Sequence, residues 1–175
     1  VELADGLSLV GHGGWGDARH GDFDQAQASY LMAVELDPSM ASAHVNLGIL
    51  RSRMQRFKEE WNKESELAQE LSNIKFNSTI GYGFDDEQGP MGILIVEKGK
   101  AVFAGNYIDQ DLQWDLRASK SDWQKWFANP PGMMSLGMAY TARKLKFLKG
   151  DYTAMIKDPR MAGPFLRSFV VMSRI

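Results

Sequence analysis

The spacing of hydrophobic and polar positions changes twice along this chain. From residue 22 to 70 the apolar residues recur at helical intervals. Asp22 is placed to cap a helix that carries Phe23, Ala26, Tyr30, Ala33 and Val34 on one stripe, and Asp37-Pro38 ends it. Ser39 caps the next helix, which turns Ala43, Leu47 and Leu50 inward. A third helix follows with Phe57, Trp61, Leu67 and Leu71 apolar. From Asn73 the period becomes two. Ile74, Phe76, Ser78, Ile80, Tyr82 and Phe84 alternate with Lys75, Asn77, Thr79, Gly81 and Gly83, the mark of a strand with one buried face. Residues 85–90 are a polar turn. Residues 92–96 form a second strand, Lys98-Gly99 signals a tight hairpin, and residues 100–106 form a third. Leu112, Trp114, Leu116 and Ala118 alternate with polar residues in a fourth strand, and residues 145–148 make a fifth.

The helical period returns after Ala118. Ser119 or Ser121 can cap a helix with Asp122 in its first turn, and Trp123, Trp126 and Phe127 fall on one face. Asn129-Pro130-Pro131-Gly132 stops it, because proline lacks an amide donor and the residue before it avoids the helical region. Residues 133–142 are helical and apolar around most of the circumference. Lys149-Gly150-Asp151 turns the chain into a helix holding Met155 and Ile156. A last helix follows Asp158-Pro159, interrupted by Gly163 and Pro164, with Phe165, Phe169, Val170 and Met172 on its apolar side. Strands in consecutive hairpins followed by helices predict an α+β fold, a mainly antiparallel sheet of about five strands with helices on one face.

Charge and composition narrow the function classes. The net charge of -2 argues against a nucleic-acid surface, which needs excess Lys and Arg. No cysteine is present, so disulfides, thiolate nucleophiles and cysteine metal sites are excluded. No apolar run approaches the roughly 20 residues of a membrane span. Without a secretion pattern at the N-terminus the expected compartment is the cytoplasm. The chain opens on Val1 rather than Met, which suggests either a trimmed chain or part of a longer protein.

Catalytic chemistry is hard to find. No nucleophile elbow, phosphate loop, metal box or paired carboxylates appear. His12 and His20, with Asp17 and Asp22, lie in and around a glycine-rich stretch at residues 11–16, but they lack helical His spacing and a third ligand. Asp85-Asp86-Glu87 reads as a solvated hairpin tip. The expectation is therefore no catalytic residue, no metal, no cofactor and no enzyme activity. Methionine is the surplus instead. Of ten, Met133, Met134, Met138, Met155, Met161 and Met172 lie in the last 45 residues, and methionine adapts to apolar ligands of variable shape.

Two resemblances organise these features. Ser121-Asp122-Trp123, Trp126-Phe127, Pro130-Pro131 and the run from Arg143 to Asp151 resemble the sterol carrier protein 2 (SCP2-like) lipid-binding family, although Arg143 stands where that family often has glycine. Residues 57–64, with Trp61 and Asn62, are also similar to the opening helix of that family. Upstream, Gly14 to Gly48 and Phe23 to Phe57 are each 34 residues apart. Ala26, Tyr30, Ala33, Pro38 and Leu47-Gly48 then stand at positions of a tetratricopeptide repeat. Val10, Asp17, His44, Arg51 and Glu60 depart from that pattern. One and a half repeats are too few for a solenoid, so such an arm must pack on the sheet domain, on a second copy or on further repeats. The implied organisation is a helical arm at residues 1–56 and an SCP2-like domain at 57–175.

The SCP2-like resemblance implies an apolar tunnel between the sheet and the C-terminal helices, binding a fatty acyl chain, a sterol or a similar lipid without catalysis. The expected lining is Phe103, Trp114 and Leu116 from the sheet. Trp126, Phe127, Met133, Met134, Leu136 and Met138 come from the middle helices, and Phe147, Met155, Phe165 and Phe169 from the end of the chain. Lys144 and Lys146 are candidates for an anionic head group. Met138→Glu is expected to abolish lipid uptake. Expected partners are a lipid, a protein or second copy gripped by the arm, and a membrane touched transiently. Two alternatives remain: a protein-interaction module built on the arm, and the accessory substrate-binding part of a larger enzyme.

Overall fold

The computed structural model describes residues 41–175, with side chains from residue 48 onward. The expected first helix, the glycine- and histidine-rich segment and the first repeat fall outside these residues. Helix α1 (Ala41–Lys63) is followed directly by α2 (Ser65–Asn73). The sequence suggested two helices where α1 is one. Nothing between residues 41 and 63 is proline, so no lost amide breaks the ladder. The interruption comes at Glu64, whose backbone leaves the helical region at φ -77° and ψ 87°.

Five strands follow, β1 (Ser78–Phe84), β2 (Gly92–Glu97), β3 (Lys100–Asn106), β4 (Trp114–Ala118) and β5 (Leu145–Lys149). They pair in the order β3-β2-β1-β4-β5. β1 with β2, β2 with β3 and β4 with β5 are antiparallel, as expected for a mainly antiparallel α+β sheet. β4, however, lies parallel to β1 instead of extending a run of hairpins. β1 also starts four residues later than the alternation suggested. Ile74 ends α2, and Lys75 takes a left-handed φ of 53°. The Phe76 amide then donates to the Leu71 carbonyl, so Ile74 and Phe76 reach the core from a turn. Lys98 and Gly99 both have positive φ, as a tight hairpin requires. A Cβ on Gly99 would sit 2.5 Å from the Ala68 carbonyl oxygen, so only glycine lets this turn approach α2.

Register assigns the two sheet faces. Leu94, Val96, Ala101, Ala104, Leu116, Ala118 and Leu145 belong to one core with the helices. Helix α1 also covers the edge strand β3. The Asn62 side chain donates to the Ala101 carbonyl at 2.8 Å and accepts from its amide at 2.9 Å. Gln55 donates to the Ala104 carbonyl at 2.6 Å. These bonds satisfy backbone groups that an open edge would expose to another chain. On the opposite face Arg117 is 1% exposed. Its guanidinium pairs with both oxygens of Asp115 and donates to the Phe84 and Glu87 carbonyls, each at 3.1 Å. The strand alternation sets both charges opposite Leu116 and Ala118, and the structure buries them there. Removing the arginine alone would strand the Asp115 carboxylate, at a cost of about 3–5 kcal/mol for a buried pair broken on one side.

The remaining helices are α3 (Lys120–Ala128), α4 (Met133–Thr141), α5 (Tyr152–Lys157) and α6 (Pro159–Met172). Ser119 caps α3 by accepting from the Asp122 amide, and Asp151 caps α5 by accepting from the Ala154 amide. Helix α6 runs through Gly163 and Pro164 without a break, against the sequence expectation. Pro164 forfeits a single intrahelical bond, and its fully buried ring packs in return.

Candidate ligand-binding groove

An apolar groove of about 460 Å³ opens between α1, the end of β1, the start of β2, α3 and the C-terminal turn. Its walls follow from local pattern. Leu50, Met54 and Phe57 recur at intervals of four and three on α1, so one helix face lines it, with Ile49 and Arg53 beside them. Trp123 and Phe127, four apart on α3, form the facing wall, their rings stacked at 6.0 Å. The Trp123 indole donates to the Gly83 carbonyl at 2.9 Å and fixes α3 against β1. Met91 and Gly92 close one side, and Met172 and Ile175 the other. Lys120 stands at the start of α3.

A second, much smaller cavity of about 40 Å³ lies between the sheet and the helices. Trp114, Leu116, Met155, Met161 and Phe165 line it, together with Trp61 and Ser168. It has room for a water or two, not for a lipid chain. Tyr82 lines both spaces and is the wall between them. Its ring meets Phe57 at 5.6 Å and Trp123 at 6.4 Å, both edge to face. Burial pushes the Tyr82 phenol far above its ordinary range.

The thirteen side chains expected to line a tunnel divide into several groups. Phe127 lines the groove. Trp114, Leu116, Met155 and Phe165 meet at the small cavity. Trp126, Leu136, Phe147 and Phe169 fill the core instead. Trp126 and Phe169 touch at 5.8 Å, Phe147 contacts Trp114 and Phe165, and Leu136 is fully buried. Phe103 pairs with Ile95 and shares a face with Gly105, on the side of the sheet away from the helices. Met133, Met134 and Met138 are 44%, 79% and 60% exposed on α4 and line neither space. Neither lysine proposed for a head group lines the groove: Lys146 is tied to Asp85 at 3.0 Å, and Lys144 is exposed.

What sequence reasoning missed was the α1 wall, together with Tyr82, Phe84, Met91 and Trp123. The signal was there in the stripe from Leu50 to Phe57, but it was divided between two helices. Among the described residues no cluster of three or more His, Asp or Glu could hold a metal ion, and no helix is long and apolar enough to cross a membrane.

Comparison with known proteins identifies the fold. No family model matches the chain, and no curated protein matches it in sequence. Solved structures do match in shape. The crystal structure of a sterol carrier protein 2 superposes with a TM-score of 0.59 at 13% identity, over 71% of this chain and 96% of that one. The solution structure of a conserved hypothetical protein from Thermus thermophilus, described as possibly a sterol carrier protein, gives 0.53 at 12% identity, over 70% and 85%. The fold is SCP2-like. In this chain the helices stack on one sheet face, and the groove opens there.

Proposed function

We propose that this chain binds and releases an apolar small molecule, a fatty acyl chain, a sterol or a similar lipid, without chemistry. The observation that carries this reading is the groove of about 460 Å³, within the range of ligand pockets and walled by apolar and aromatic side chains. The structural likeness to a sterol carrier protein supports it. Affinity would come from removing the ligand's apolar surface from water, at roughly 25 cal/mol per Å². Met54, Met91 and Met172 give the walls shape tolerance, so chains of different outline would fit. The alternatives, a protein-interaction module and an accessory part of a larger enzyme, rest on the arm or on sequence outside the described residues.

Uptake of a fluorescent fatty acid tests the reading. Phe127 is half-buried, so Phe127→Glu puts a charge on the groove wall without opening the core. It should weaken uptake about tenfold or more, since an unpaired charge facing an apolar ligand costs at least a few kcal/mol. Unchanged uptake with an intact fold would remove the groove from the site.

A further inference from the structure

The groove carries a second signature, in its charges. Arg53 on α1 and Lys120 on α3 are the charged side chains that line it, and no Asp or Glu side chain is among the lining residues. Lacking an ion pair is not peculiar to the groove, since Arg56 and Lys58 on α1 also make none with a described residue, whereas two other cations on these helices are paired. Lys63 on α1 pairs with Glu60 at 2.7 Å, and Lys125 on α3 pairs with Asp122 at 3.7 Å. Arg53 and Lys120 make no ion pair with a described residue. The chain's net charge is -2, so two cationic side chains and no acidic one beside an apolar wall are a local feature, not a reflection of a basic protein.

We infer that the groove takes an anionic amphiphile, with the apolar chain along Leu50, Phe57 and Phe127 and the acid group at the rim between Arg53 and Lys120. This rests on the lipid-binding reading and adds the class of head group. Long cationic side chains lay their stems along apolar surface and hold the charge at its edge, which is the disposition an amphiphile requires. Arginine offers a planar fork to a carboxylate or a phosphate, and lysine adds a point charge. The shared chemistry is an oxyacid head on an apolar tail, supplied either by a free fatty acid or by a lipid phosphate.

Displacement of a neutral fluorescent probe from the full chain, by four ligands built on sixteen-carbon chains, separates the possibilities. Hexadecanoate and hexadecyl phosphate carry the anion, whereas hexadecanol and methyl hexadecanoate do not. The anions should bind about tenfold more tightly than the neutral pair, the worth of a charge-assisted contact. That advantage should shrink as sodium chloride is raised. The double variant Arg53→Gln/Lys120→Gln should lose the preference while keeping its affinity for hexadecanol. Whichever anion binds more tightly names the source of the head group. Equal binding of acid and alcohol by the wild type, or a preference that survives in the double variant, overturns the assignment and leaves the groove reading standing. Failure of all four ligands to bind, hexadecanol included, overturns both.

Discussion

At the scale of single residues, Tyr82 does the most. It stands on β1 between the open groove and the small cavity, held edge-on by Phe57 and Trp123. On the lipid-binding reading its ring would limit how deep a tail reaches. Burial favours the neutral phenol, so the folded state holds that proton more tightly than the unfolded chain does. The sign follows from linkage. Tyr82 contributes its full stability below the ordinary phenol value of 10.0, and the contribution is lost as pH rises beyond it. Urea midpoints should hold steady from neutral pH to the onset of phenol ionisation and then fall. The decline in Tyr82→Phe should be shallower. Equal declines in the two proteins would mean that the phenol is well solvated. Arg117 teaches a different lesson at this scale. Strand alternation gives a charged residue no reason to be inside, and the carbonyls that receive it, from Phe84 and Glu87, come from a strand end and a loop whose path is a tertiary matter.

Elements with two distinct faces were legible from sequence. The strand alternation from Ser78 onward, the Lys98-Gly99 hairpin, the Ser119 cap and the Trp123–Trp126–Phe127 face all stand as local chemistry implied. Helix α4 was not legible, for a physical reason. Its residues are almost all apolar, so no polar side announces which way it turns, and methionine content alone pointed the wrong way. The structure buries Leu136 and Ala139 and leaves Met133, Met134 and Met138 outside. The methionines that do line the groove, Met54, Met91 and Met172, are scattered over three parts of the chain that only folding brings together. The expectation for Met138→Glu is therefore reversed. An exposed position away from special features tolerates substitution within about 0.5 kcal/mol. Fatty-acid uptake and thermal midpoint should both match the wild type. Loss of uptake would return α4 to the binding site.

At the scale of the whole sheet domain, the described residues form a helical layer over the sheet with one filled end and one open end. At the filled end Phe147 meets Trp114 at 6.1 Å, Tyr152 at 5.2 Å and Phe165 at 5.8 Å, and little space is left. At the open end α1 and α3 stand apart over β1 and leave the groove. The sequence implied this α+β architecture but put the oily hollow at the filled end. Two facts decide otherwise: β4 joins β1 in parallel, a pairing with no local signal, and α1 continues as one helix through residue 57, so the stripe from Leu50 to Phe57 forms a single wall. Methyl-resolved NMR during titration with a saturated fatty acid tests the location of the site most directly. The methyl signals of Ile49, Leu50, Met54 and Met91 should shift together and saturate at one equivalent, while those of Met133, Met134 and Met138 stay in place. Shifts centred on the α4 methionines, with the α1 methyls unmoved, would contradict it.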